Sequence, residues 1–184
     1  MMQAEEYLEK IPMWTREKHS LTDIRAFLHE MGDPDRKLSI IHVAGTNGKG
    51  SVCAFLTSLY RNAGFRTGTF ISPHLVTVRE RFLLNNEMVS PGKLQAAFET
   101  VLETVNIMKE KGYSHPSYFE FLFYMAMALF ADETPELVIL ETGLGGRLDA
   151  TNVVENPLAC VITSISLDHI MYLGDTIEAV AGEK

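Results

Sequence analysis

The stretch from Gly45 to Ser51 constrains this chain more than any other. Gly45-Thr46-Asn47-Gly48-Lys49-Gly50-Ser51 joins an apolar, β-branched run, Leu38-Ser39-Ile40-Ile41-His42-Val43, to a segment with apolar residues at helical spacing, Val52 to Ala63, closed by Gly64. Strand, loop and helix in that order commit the chain to an α/β layout. In such a loop the glycines let successive backbone N–H groups converge on one anion. The helix N-terminus adds partial positive charge, and Lys49 adds a full one. The ligand that fits is a nucleoside triphosphate, with the Ser51 hydroxyl available to Mg2+. The loop departs from the common phosphate-loop pattern twice: only Thr46 and Asn47 separate Gly45 from Gly48, and Gly50 stands between Lys49 and Ser51. A glycine-rich turn with a solvated lysine is the competing reading.

Composition excludes several classes. At 184 residues, 46% hydrophobic and 22% charged, the chain can bury one good core, so residues 1–184 read as one domain. No apolar run reaches membrane-spanning length, and Met1-Met2-Gln3-Ala4-Glu5-Glu6 lacks the basic start and apolar segment of a secretory signal. A cytoplasmic protein with no membrane partner is expected. A net charge of −8 argues against a nucleic-acid partner, which calls for a basic stripe. Cys53 and Cys160 lie outside any Cys-x-x-Cys spacing and read as buried reduced thiols.

Around the loop, the pattern predicts an amphipathic start from Ala4 to Ile11. It also predicts a helix from Leu21 to Met31, capped by Ser20 or Thr22 and stopped by Gly32. A strand, Arg66 to Ile71, leads into Ser72-Pro73-His74 and then a looser segment, Leu75 to Ser90. Pro91 opens a helix to Lys111. Ser117 starts another to Phe130, with Glu120 in capping-box spacing, and its apolar residues run nearly all round it. Leu137-Val138-Ile139-Leu140 and Ala159-Cys160-Val161-Ile162 are short strands, and a helix begins near Asp175.

Strands alternating with helices imply a mostly parallel sheet with helices on both faces, and such sheets bind ligands at the carboxyl ends of their strands. The phosphate loop follows one strand, Ser72 ends a second, Glu141 ends a third, and Asp168-His169 follow a fourth. Ser72, Glu141 and His169 therefore form a candidate Mg2+ shell beside the triphosphate, although imidazole is an uncommon ligand for so hard an ion. Ser72 before Pro73 also reads as a turn former, and His169 as a capping or hydrogen-bonded histidine.

Four blocks of this sequence resemble the N-terminal ATP-binding domain of the folylpolyglutamate synthase/dihydrofolate synthase family, in the Mur ligase superfamily. They are residues 42–51, Ser72-Pro73-His74 with Arg79-Glu80-Arg81, residues 141–152, and Asp168-His169 with the segment up to Lys184. The resemblance implies the P-loop NTPase-like central-domain fold of a Mur ligase. It also implies an ATP- and Mg2+-dependent amide ligase joining L-glutamate to folate or dihydropteroate through an acyl phosphate. By the same resemblance Gly45, Thr46, Asn47, Gly48, Lys49, Gly50 and Ser51 hold ATP, and Ser72, Glu141 and His169 hold Mg2+. Ser117, Tyr118, Phe119, Glu120, Leu148, Asp149 and Ala150 match the substrate-side segments. Lys49, Glu141, His169 and Lys184 match catalytic positions, Lys184 being the lysine that the family carries as a carbamate.

The family continues into a C-terminal glutamate-binding domain in cis, so the sequence reads as the nucleotide-side part of a ligase, not competent for full turnover alone. As the last residue, Lys184 is expected to be solvated and frayed. Two other readings stay open: a nucleotide-binding module without ligase chemistry, and a Mur-type ligase acting on another carboxylate. A Rossmann dehydrogenase is disfavoured, because Gly143-Leu144-Gly145-Gly146 lacks the dinucleotide spacing.

Overall fold

The computed structural model describes residues 3–12 and 19–184, so Met1 and Met2 of the signal-peptide reading lie outside the described residues. Six strands form its sheet: β1 (Ile40–Ala44), β2 (Thr67–Phe70), β3 (Phe82–Leu84), β4 (Glu87–Met88), β5 (Leu137–Glu141) and β6 (Ala159–Ile162). Their spatial order is β4-β3-β2-β5-β1-β6. β1 pairs in parallel with β5 and β6, β5 pairs in parallel with β2, and β3 and β4 add an antiparallel hairpin beside β2. The sheet is thus mostly parallel. The hairpin corrects the reading of 75–90 as a looser segment. Asn85 and Asn86 both take positive φ, 51° and 65°, which is the two-residue turn that matches strand twist.

Seven helices are assigned among the described residues: α1 (Ala4–Leu8), α2 (Leu21–Glu30), α3 (Lys49–Asn62), α4 (Pro91–Glu110), α5 (Tyr118–Glu133), α6 (Ile170–Leu173) and α7 (Ile177–Gly182). The alternation of strand residues sorts five of them into two layers. Ile40, Phe70, Val138 and Leu140 point into the larger core with α1, α2, α4 and α5. Ile41, Val43, Leu137 and Ile139 point to the other face, against Cys53, Val52, Leu56 and Tyr60 of α3. β1 and β5 are buried along their whole length, as central parallel strands must be when helices cover both faces.

Local chemistry fixes the helix ends. Ser20 caps α2 in a reciprocal box with Asp23, and Ser117 caps α5 in a box with Glu120. Ser90 caps α4 with Pro91 in its first turn. α5 is buried continuously from Glu120 to Met127, as a helix apolar nearly all round should be. α3 starts at Lys49, three residues before the expected Val52, because Gly48 takes a left-handed conformation and lets the helix begin inside the loop. The carboxyl ends of β1, β2 and β5 open on one edge, where the polar residues collect.

Candidate active site

The phosphate loop is held open by its own backbone. Gly45 has φ 138°, and a Cβ built there would lie 1.9 Å from Thr163 Oγ1, so β1 can pass this closely to the residues after β6 only through glycine. Thr46 N–H donates to Ser164 O at 2.8 Å, and the Thr46 hydroxyl donates to Ser166 O at 3.1 Å. Lys49 Nζ reaches back to Gly45 O at 3.1 Å and Thr46 O at 3.2 Å. A full positive charge therefore sits over the loop at the first turn of α3.

Glu141 closes β5 at 3% exposure. Its Oε2 accepts the Ser72 N–H at 2.9 Å. Burial raises its pKa, while the Ser72 N–H, Lys49 and Arg81 pull the other way. A buried carboxylate whose charge is only partly compensated suits a cation. Ser72 and His169 line the same cleft as Lys49, and the pseudo-Cβ of Gly50 lies 3.9 Å from both Glu141 oxygens. Among the described residues no group of three His, Cys, Asp or Glu side chains could hold a metal. The candidate shell is a carboxylate, a hydroxyl and an imidazole, and a hard divalent ion would complete it with water and phosphate oxygens.

The cleft encloses about 340 Å3 and runs from Lys49, Ser72 and His169 to a wall built by Tyr118, Phe119, Leu144, Leu148 and Ala150. Ser117 and Glu120 line it but are committed to their cap: the Ser117 N–H donates to Glu120 Oε2 at 2.7 Å. Asp149 is fixed by three donors, the Leu144 N–H at 2.8 Å, the Thr151 N–H at 3.0 Å and the Thr151 hydroxyl at 2.7 Å. That hydroxyl is 2.8 Å from Nε2 of buried His42, which lies 3.1 Å from Thr142 Oγ1, so a polar chain ties β1 to the cleft wall. Burial lowers the His42 pKa. A Cβ at Gly143 would lie 2.5 Å from the Phe119 ring, so this ring seats directly on backbone.

Lys184 is not frayed. Its side chain is half-buried and its Nζ donates to Gly45 O at 2.9 Å, the carbonyl that also receives Lys49. The 145–147 turn folds over the chain end, with the Arg147 N–H bonded to Glu183 O at 2.9 Å. Burial, followed by the nearby Lys49 charge, lowers the Lys184 pKa. Cys160 is also a correction: it is exposed, because β6 forms the sheet border, whereas Cys53 is buried as expected. Arg81, His42 and Thr151 escaped the sequence reading as site residues. Arg81 lies in the quoted Arg-Glu-Arg run, but its buried position depends on the 3-10 turn Val78–Arg81 and on the bond from the Ile71 N–H to its carbonyl. His42 looks like any strand residue until its hydroxyl partners are known.

No protein-family model matches the chain. A dihydrofolate synthase/folylpolyglutamate synthase of Bacillus subtilis is 43% identical over 168 residues, 91% of this chain and 39% of that protein. Among solved structures, the Mycobacterium tuberculosis folylpolyglutamate synthase complexed with ADP superposes with a TM-score of 0.88 at 38% identity. That match covers 97% of this chain and 40% of the solved one. A folylpolyglutamate synthase complex with AMPPCP and folate gives a TM-score of 0.91 at 29% identity, covering 99% and 45%. The chain thus spans about two-fifths of the length of these relatives.

Proposed function

This chain belongs to the folylpolyglutamate synthase/dihydrofolate synthase family, matching its N-terminal domain, and on that premise we propose that it forms the nucleotide-side part of an ATP-dependent amide ligase. The observation that carries this reading is the shared cleft: Lys49, Ser72, Glu141's neighbourhood and His169 at one end, and the Tyr118–Phe119–Leu148 wall at the other. The reading places ATP on residues 45–51 and a folate or dihydropteroate along the wall formed by Ser117–Glu120 and Leu148–Ala150. L-glutamate enters with a C-terminal domain in cis. A cytoplasmic location is part of this proposal. Separately, among the described residues no helix is long and apolar enough to cross a membrane.

The substrate carboxylate attacks the γ-phosphorus of ATP, the bond to the β,γ-bridging oxygen breaks, and ADP leaves with that electron pair. The acyl phosphate then yields its carbonyl to the glutamate amine, which loses a proton as inorganic phosphate departs. Two anions must meet, so Lys49 and the loop N–H groups hold and neutralise the phosphoryl oxygens. Ser72, Glu141 and His169 would hold Mg2+, which supplies charge neutralisation on the phosphates when bound. Lys184 sits where the family carries its carbamate, and the lowered pKa supports that reading by favouring the neutral amine that adds CO2 with loss of a proton.

Calorimetry tests the nucleotide half. Wild type should bind Mg·ATP, and Lys49→Ala should lose binding with its circular-dichroism spectrum unchanged; unchanged affinity would sink the loop assignment. ADP release is then followed with the pterin substrate and glutamate each omitted in turn. Nucleotide binding that ignores the pterin substrate would favour a plain nucleotide-binding module.

A further inference from the structure

Arg81 lines the cleft as a buried cation that makes no salt bridge among the described residues. It ends a 3-10 turn, Val78–Arg81, and its carbonyl accepts the Ile71 N–H at 3.1 Å, which sets the side chain beside Ser72 at the mouth of β2. The residue is 4% exposed and lines the cleft. Its Nε donates to His74 Nδ1 at 2.8 Å, and its guanidinium lies 5.6 Å from the Tyr118 ring centroid. No other side-chain hydrogen bond of Arg81 exists among the described residues, so the two Nη groups keep their forked donors for something else.

The neighbouring carboxylates are already engaged. Glu80 turns outward and accepts the N–H groups of Leu75, Val76 and Thr77, each at 2.8 Å. Asp149 is held by its three donors and Glu120 by the α5 cap. Glu141 accepts the Ser72 N–H and makes no hydrogen bond to Arg81. The Glu141 charge acts on Arg81 without a hydrogen bond between them, so burial of the guanidinium is only partly compensated. The His74 acceptor and the Tyr118 face orient the plane, and what remains is a rigid two-pronged donor. Its complement is a carboxylate or phosphate edge rather than a point acceptor, and its contact with the Tyr118 face on the apolar wall favours the carboxylate.

We propose that Arg81 binds the carboxylate of the ring-bearing acid substrate, holding it by a bidentate pair at the junction between the apolar wall and the phosphate loop. This rests on the ligase reading above and adds to it the residue that presents the nucleophile. Phe119 and Leu148 take the ring system, Arg81 takes the acid, and Lys49 takes the phosphates. A guanidinium also remains charged at every pH at which the acid is ionised, so the contact does not switch off in the working range.

Calorimetry of pteroate and of its carboxamide, pteroamide, tests this on wild type, Arg81→Ala and Arg81→Lys. Mg·ATP titration of each variant reports an intact fold. Arg81→Ala should weaken pteroate by roughly 30- to 100-fold and leave pteroamide unchanged. Arg81→Lys, which keeps the charge but loses the fork, should recover part of the loss. Equal effects on the two ligands, no effect on either, or a loss confined to Mg·ATP would overturn the assignment. Wild type that binds Mg·ATP but neither pteroate nor pteroamide would overturn the pterin reading itself, a result distinct from the other three.

Discussion

At Gly45 the backbone is strained for any side chain, both by its φ and by Thr163. Gly45→Ala should destabilise the fold by about 2 kcal/mol or more, read as a drop in the urea midpoint, whereas Gly48, with open space around its Cβ position, should lose less. Glu141 carries the opposite tension. Its folded-state pKa is raised, so the protonated form is favoured in the native state; the contribution is fully present below the unfolded value near 4.3 and is lost as pH rises through the folded one. At neutral pH the ionised carboxylate is therefore a cost. Glu141→Gln should melt above wild type at pH 7, with the difference shrinking toward pH 4, and should lose the thermal shift that Mg·ATP gives wild type. A lower melting point at pH 7 would contradict the burial argument. This is the pattern of a group kept for chemistry at the expense of stability.

Between residue and fold, the segment from Ser72 to Arg81 behaves as a unit held by one side chain. The Leu75, Thr77 and Val76 N–H groups lower the Glu80 pKa, so the stabilisation is present above the unfolded value and is lost as pH falls through the depressed folded one. Glu80→Gln should speed amide exchange at Leu75, Val76 and Thr77 at pH 7 while leaving β5 protected; unchanged exchange would remove Glu80 from that role. The same segment shows where sequence reading reaches its limit. Periodicity and caps located α2, α4, α5 and the parallel strands to within a few residues, because each carries its signal locally. The β3–β4 hairpin did not announce itself: its strands are three and two residues long, and its turn uses Asn85-Asn86 without a glycine. Ser72 and Glu141 could be placed at one edge from the strand-end rule alone. The buried position of Arg81 depends on the 3-10 turn that it ends and on the Ile71 N–H bond, and the His42–Thr151–Asp149 chain depends on contacts more than a hundred residues apart in sequence.

The molecule as a whole is covered unevenly. Cys53 lies on the sheet-facing side of α3, and burial followed by the Glu141 charge pushes its thiol up to about 12, whereas Cys160 is exposed on β6. Iodoacetamide at pH 8 should label Cys160 and spare Cys53 until the protein is unfolded; labelling of Cys53 in the native state would mean that the α3 face opens readily. The sheet's two borders differ in kind. At one, β4 offers two exposed residues, among them Glu87, and its shortness blunts the edge. At the other, β6 presents four residues, Ala159-Cys160-Val161-Ile162, without a charge or a proline, and among the described residues it is paired only with β1. Among the described residues the outer backbone groups of β6 have no strand partner. A further strand of any source would meet a four-residue row of backbone donors and acceptors along β6, against two residues along β4.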